Sequence, residues 1–213
     1  MHISKEKYLA DPCGILSIPY WKAKNLNLPD NMLIINNNDY NDSYKDSYTD
    51  ELYFRLIHRL ENINSVNLNS DYLIGTVDIH TQLEDVVDII NNCYTDIGTD
   101  INNVMKWTKS IVFDNNLWVY IKEIKTGKIV ALGIAEFDKE INEAALEWIQ
   151  VLPSYHGKGL GQAIVNELLN RLKCMADFVT VSGKVDNLTN PEALYRKCGF
   201  NGNDVWHILT KKI

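Results

Sequence analysis

Residues 151–161, Val-Leu-Pro-Ser-Tyr-His-Gly-Lys-Gly-Leu-Gly, run from an apolar strand end through a glycine-rich loop straight into an amphipathic helix. This junction limits the chain more than any other feature, because it fixes a strand, a turn and a helix in one order and aims the helix N-terminus at whatever lies beyond the strand. Such a terminus leaves N–H groups without intrahelical partners and carries about half a positive charge, so an anion there gains hydrogen bonds and field. Gly157, Gly159 and Gly161 lack a Cβ and let a pyrophosphate approach the main chain closely. The helix itself is read from Leu160, Ile164, Leu168 and Leu172, widened by Val165, Leu169 and Met175, with Asn166, Glu167, Asn170, Arg171 and Lys173 facing water.

Two common phosphate loops do not fit. No Gly-x-x-x-x-Gly-Lys-Ser/Thr occurs, and Lys158 lies inside the glycine run rather than after it, which disfavours an ATP or GTP site. The dinucleotide fingerprint fails because Gln162 stands where its third glycine belongs, and no acidic ribose reader follows in a suitable strand. The pattern that remains, His156-x-x-Gly159-x-Gly161 after Val151-x-Pro153, resembles the acyl-CoA pyrophosphate loop of the GNAT superfamily of N-acetyltransferases.

A second block carries the same resemblance. Asn190-Pro191-Glu192-Ala193-Leu194-Tyr195-Arg196-Lys197-Cys198-Gly199-Phe200 is similar to that superfamily's short helix ending Leu-Tyr-x-x-x-Gly-Phe. Its residues also define a helix by themselves: Asn190 as N-cap, Pro191 at the first position, Glu192 at the positive end, Arg196 and Lys197 at the negative end, and Gly199 as the left-handed cap. The resemblance covers residues 71–213 and implies an α+β fold, a central mixed, mostly antiparallel sheet flanked by helices. The coarse pattern agrees: strand Tyr72–Val77, helices Leu83–Cys93 and Ile101–Ser110, a hairpin of Leu117–Ile124 and Ile129–Phe137 around Lys125-Thr126-Gly127-Lys128, strand Ala144–Leu152, the glycine-loop helix, strand Phe178–Ser182, the Tyr195 helix and strand Val205–Lys211. One short penultimate strand of the family pattern has no clear counterpart near Phe200.

At 213 residues the chain is long enough for one good-sized core. Residues 1–70 read as an N-terminal extension packed on the acetyltransferase domain at 71–213. Within it, Met32–Ile35 reads as a short strand, the Asn- and Asp-rich stretch 36–50 as a loop with Tyr40, Tyr44 and Tyr48 interleaved, and Glu51–Leu60 as a helix on the strength of Leu52, Phe54, Leu56, Ile57 and Leu60. A net charge of −7 with no lysine–arginine stripe argues against a nucleic-acid surface. No apolar run suggests a membrane segment or a signal peptide. Cys13, Cys93, Cys174 and Cys198 are widely spaced and the five histidines show no ligand spacing, so reduced thiols, a cytoplasmic setting and no metal are expected. A homodimer is compatible with the chain but not indicated by it.

Thioester-to-amine transfer needs an unprotonated nucleophile, a polarised carbonyl and a proton for the departing thiolate. The resemblance implies Tyr195 as general acid, four residues before Gly199; an ordinary phenol, with pKa about 10, is protonated at neutral pH and able to donate. It also implies that main-chain groups of Ile149, Gln150 and Val151 hold the acyl carbonyl and pantetheine as an added strand would. The pyrophosphate cradle is then His156, Gly157, Lys158, Gly159, Leu160, Gly161 and Gln162. His156 departs from the family's glutamine or arginine, a change that retunes a contact made chiefly by main-chain N–H groups. Asn187 and Asn190 lie eight and five residues before Tyr195, either side of the family's usual spacing, and are candidate cofactor contacts, Asn190 alternatively a cap only.

Glu147 is the leading candidate base, because it shares alternation parity with Val151. Glu136, Asp138 and Glu143 are weaker alternatives, and a water chain is another. The carboxylates Glu136, Asp138, Glu140, Glu143 and Glu147 stand against Lys139 alone, a run that either attracts a cationic amine or keeps a hairpin tip soluble. Gln150 reads equally as a substrate contact or a solvated residue. Trp148 is the tryptophan most suited to lining an acceptor pocket, although alternation opposes it to Glu147. The expected activity is acetyl transfer from acetyl-CoA to a primary amine by direct attack in a ternary complex. The alternatives are a CoA-binding regulatory or interaction module without turnover, and a longer acyl-CoA donor.

Overall fold

A computed structural model describes residues 3–93 and 97–212. Its frame is one eight-stranded sheet: β1 (Met32–Asn36), β2 (Tyr48–His58), β3 (Tyr72–Thr76), β4 (Trp118–Glu123), β5 (Ile129–Asp138), β6 (Glu143–Val151), β7 (Phe178–Lys184) and β8 (Asn201–Lys211), in the order β1-β8-β2-β7-β6-β5-β4-β3. Every pairing is antiparallel except β6–β7, which is parallel because α5 (Leu160–Leu172) crosses between them. This is the α+β architecture expected of the sequence. The other helices are α1 (Lys5–Ala10), α2 (Tyr20–Ala23), α3 (Leu83–Cys93), α4 (Ile101–Trp107) and α6 (Pro191–Lys197).

The apolar stripe of α5 decides how the sheet is covered on one side. Leu160, Ile164, Leu168 and Leu172 are fully buried, and α5 approaches β5 so closely that a Cβ on Gly133 would lie 2.3 Å from Ile164 Cγ2. The opposite side is covered by α3 and α4, with Trp107 of α4 stacked on Trp148 of β6, and by the N-terminal segment. That segment forms its own apolar cluster, in which Ile3, Tyr8, Leu16, Tyr20 and Ala23 pack with Ile141, Phe178 and Trp206.

Residues 51–60 correct the sequence reading. They form no helix: residues 51–58 belong to β2, an 11-residue strand that pairs with β7 through Tyr53–His58 and with β8 through Tyr48–Ile57. Leu52, Phe54 and Leu56 satisfy a two-residue period as well as a helical one. The strand is also covered on both faces, Phe54 and Leu56 by the main core and Ile57 by the N-terminal cluster, so the polar alternation that marks a half-exposed strand is absent. Asn201–Lys211 is one continuous strand, longer than the sequence pattern suggests, and β2 fills the place between it and β7. A strand therefore does begin directly after Phe200.

Candidate functional site

The parallel pair β6–β7 is short. It runs from Glu143↔Phe178 to Leu146↔Val181 and stops, while β6 continues to Val151 against β5 and β7 continues to Lys184 against β2. The two strands therefore part into a fork at Leu146 and Val181, with Ile149, Gln150 and Val151 along its β6 arm. Gln150 is buried, which removes the solvated alternative for its side chain.

Beyond the fork the chain turns through Pro153–Tyr155 into the glycine loop. His156 folds back on the strand it has just left, its Nε2 donating to the Val151 carbonyl at 2.9 Å, so the ring fixes loop to strand. Gly157 and Gly159 are both left-handed, with φ of +76° and +78°, and a Cβ at either would meet nothing within 4 Å, so the loop faces open space. The first intrahelical bond of α5 is Ala163 N–H to Gly159 O. The N–H groups of Leu160, Gly161 and Gln162 precede it and point out of the helix end. Lys158 lies over the loop, its Nζ 4.6 Å from the Tyr155 ring centre and 3.4 Å from Tyr72 Oη. Gly161 faces inward instead: a Cβ there would stand 3.2 Å from Leu194 Cδ2 and 3.7 Å from Val151 Cγ2. Cradle, strand end and α6 therefore meet at one point.

Tyr195 is buried on α6, its ring 6.1 Å from Phe54 and 5.7 Å from Phe200. Phe54 in turn covers Gly183, its pair partner on β7. Tyr195 thus sits beside the stretch of β7 that has already parted from β6. The two asparagines are held within their own loop. Asn187 Oδ1 accepts from Thr189 N–H and Oγ1 at 2.9 and 2.7 Å, and Asn190, in a left-handed conformation with φ +47°, caps α6 by accepting from Ala193 N–H at 3.3 Å.

On the other face of the fork lies a cavity of about 330 Å³, bounded by Ser17, Lys22, Arg55, Glu147, Val181 and Ser182 among others. Glu147 reaches it through a β-bulge. Leu146 pairs with Ala135 and Trp148 with Ile134, which leaves Glu147 as the extra residue. The shared parity with Val151 does not hold: Val151 faces α5, whereas Glu147 meets Lys22 Nζ at 2.7 Å on the α2 side. Trp148, next along, turns to Trp107 and is not among the residues that bound the cavity.

Lys22 also lies 3.5 Å from Glu136, and Trp21 Nε1 donates to the same Glu136 carboxylate at 2.8 Å. Burial, then the nearby Glu147 charge, pushes the Glu136 carboxyl up to about 7 against the opposing pull of Lys22 and Trp21. Below the cavity is a buried polar network. Arg55 donates to Pro12 O, Ser17 O, Ser182 Oγ, Tyr8 Oη and Glu143, and Glu143 further accepts from Tyr8, Thr180 and the Tyr20 N–H. Glu140 pairs with Lys24, and Asp138 is buried, accepting from Glu140 N–H. The acidic run is therefore not a solvated tip; apart from Asp138, its carboxylates meet cations that the N-terminal 70 residues supply.

Residues 113–201 match the family model of the acetyltransferase (GNAT) domain. Over that stretch the chain is similar to the GNAT family. Among solved structures it is similar to a GCN5-related N-acetyltransferase from Sphaerobacter thermophilus (TM-score 0.68, 14% identity, 79% of this chain and 53% of that one). It is similar too to a conserved protein of unknown function from Staphylococcus epidermidis (0.64, 12%, 85% and 73%) and to the ribosomal-protein-S18-alanine N-acetyltransferase of Escherichia coli (0.53, 20%, 66% and 93%). At these identities the likeness is one of fold, and the chain spans about half the length of the first of these structures. No curated protein sequence matches it.

The GNAT motifs account for the cradle and α6 but not for Lys22, Trp21, Arg55 or the pairing of Glu136 with Glu147. These residues carry no local signal: they are single side chains from distant segments, brought together only when β2 enters the sheet and α2 lies across β5 and β6. Among the described residues no cluster of His, Cys, Asp and Glu could hold a metal, and no helix is long and apolar enough to cross a membrane.

Proposed function

We propose that this chain is an N-acyltransferase that moves an acetyl group from acetyl-CoA to a primary amine by direct attack in a ternary complex. One observation carries the reading: the anion cradle, with Tyr195 beside it, and the cavity holding Glu147 open on opposite faces of the same fork, at Leu146 and Val181. The residues present fit an acyl-CoA. Gly157 to Gln162 would take its pyrophosphate on main-chain N–H groups, with Lys158 adding charge. Ile149 to Val151 would take the pantetheine along the β6 arm, and Asn187 and Asn190 border the same end.

In this reading Glu147, working with Glu136, accepts the proton of an ammonium entering the cavity, and Tyr195 supplies a proton to the departing thiolate. The carboxylate pair suits an acceptor that arrives as a cation. The work divides along the chain: residues 71–213 form the acetyltransferase domain, and the extension 1–70, packed on it, closes the acceptor side. The four free cysteines agree with a reducing, cytoplasmic setting.

Calorimetric titration with acetyl-CoA tests the donor half. The native chain is expected to bind, and Gly159→Glu with Gly161→Glu to lose on the order of 100-fold in affinity, about 2.7 kcal/mol, since it brings two carboxylates to the anion site and a Cβ against Leu194. Thiol release with amine acceptors tests turnover. Tyr195→Phe is expected to lower kcat by at least about 100-fold with KM for acetyl-CoA little changed. An unchanged kcat at saturating substrates would remove Tyr195 from the chemistry. Binding with no thiol release on any amine would favour a CoA-binding module without turnover.

A further inference from the structure

Three consecutive residues of α2 dock on three carboxylates of the sheet. Tyr20 N–H donates to Glu143 at 2.8 Å, Trp21 Nε1 to Glu136 at 2.8 Å, and Lys22 Nζ stands 2.7 Å from Glu147. The first two contacts hold the helix in place; the third puts a primary amine in the acceptor cavity. Lys22 bounds that cavity together with Leu146, Glu147, Val181 and Ser182, the residues at which β6 and β7 part. Its side chain keeps 32% of its exposure and borders the cavity. It is fixed from both sides of the reaction: by the carboxylate suited to take its proton, and by its place at the fork where the thioester would lie.

Resting on the acyltransfer reading above, we infer that Lys22 is an acceptor of this protein's own reaction, a self-acylation site positioned in cis by α2. The step balances without a further reagent. The Lys22 ammonium passes one proton to Glu147, and the amine nitrogen forms a C–N bond to the thioester carbonyl. The second nitrogen proton goes to Glu136 as the C–S bond breaks, and the thiolate takes the Tyr195 proton. Tyr195 is reprotonated from the carboxylate pair, and one proton leaves to solvent overall. The acylated side chain carries no charge and no longer pairs with Glu147. Self-acylation therefore frees the carboxylate pair for an external cationic amine.

The test uses the full chain incubated with acetyl-CoA and no added amine, read by intact mass and peptide mapping, with acetyl-CoA calorimetry on the same samples. The expected result is one acetyl group on Lys22, appearing at a rate independent of protein concentration. It should be absent in Lys22→Arg, which keeps the ion pair with Glu147, and slowed at least about tenfold in Glu147→Gln. Acetyl spread over exposed lysines such as Lys125 and Lys139, and indifferent to Glu147→Gln, would mean chemical acetylation only and overturn the inference. So would acetyl-CoA binding and thiol release with added amines while Lys22 stays unmodified, an outcome that leaves the acyltransfer reading standing. No acetyl-CoA binding at all would remove both.

Discussion

The two faces of the fork are built by different means. On the face proposed to take the acyl donor, the glycine loop spans seven consecutive residues, 156–162, and would recognise an anion through main-chain groups. On the face proposed to take the acceptor, Lys22, Arg55, Glu136 and Glu147 come from four separate segments and present charged side chains. The contrast teaches what each face can tolerate. A main-chain cradle survives most side-chain changes but not a Cβ at its glycines, whereas the acceptor face stands or falls with how residues 3–58 are fastened to the sheet.

Arg55 is the sharpest place to break that contrast. It is 1% exposed and its partner Glu143 is equally buried, and the guanidinium ties Pro12, Ser17 and Tyr8 to β6 and β7. Arg55→Ala leaves Glu143 in place of an ion pair as an uncompensated buried charge, so a loss of about 3–5 kcal/mol is expected in urea unfolding. Removing both charges with Arg55→Met and Glu143→Leu is expected to recover most of it, because the cost lies in the orphaned charge rather than in the lost attraction. Acetyl-CoA affinity of the folded protein should be unchanged in both. A simultaneous loss of cofactor binding would show that the two faces are not separable.

The same contrast explains what could be read from the chain. The glycine loop, α5 and α6 were legible because each device is local: a glycine run before a helix, a four-residue apolar stripe on α5, and a helix with Asn190 and Gly199 at its ends. The hairpin β4–β5 and strands β3, β6 and β7 were legible for the same reason. Residues 48–58 were not. Covered on both faces from Phe54 onward, β2 offers no alternation there, and its spacing of Leu52, Phe54, Leu56 and Ile57 suits either period. Glu147 was picked out by a parity that its own bulge cancels, since a one-residue insertion leaves no mark in the apolar pattern. Lys22 carries no local signal, because its partners lie more than 100 residues away.

A second, smaller effect separates the faces by pH. Glu136 is carried from an ordinary value near 4.5 to about 7 by burial and by Glu147. The folded state therefore binds more protons than the unfolded state between these values, and stability falls as pH rises through that window. The loss is on the order of 3 kcal/mol for a shift of this size. Urea midpoints measured from about pH 4.5 to about pH 8 should show that decline in the native chain and a flatter profile in Glu136→Gln. A Glu136→Gln profile that falls as steeply as the native one would place the titration elsewhere. Substitutions of Gly157 or Gly159 should leave this pH dependence intact, since a Cβ at either position would meet nothing within 4 Å.

The smallest effect lies on the donor face and decides what Asn190 does. Its carbonyl caps α6 through Ala193 N–H while its backbone sits at φ +47°, a region asparagine and glycine tolerate and alanine does not. Asn190→Ala gives up the cap and adds left-handed strain, so a loss of about 2 kcal/mol is expected. Asn190→Gly gives up the cap but relieves the backbone and should cost only a few tenths of a kcal/mol. If capping is its whole role, acetyl-CoA affinity in Asn190→Gly stays at the native value, because α6 and Tyr195 stay where they were. If the asparagine also holds the cofactor, calorimetry will show weaker binding in the glycine variant despite its near-native stability. In that case the donor face, like the acceptor face, relies on a side chain that main-chain geometry alone does not replace.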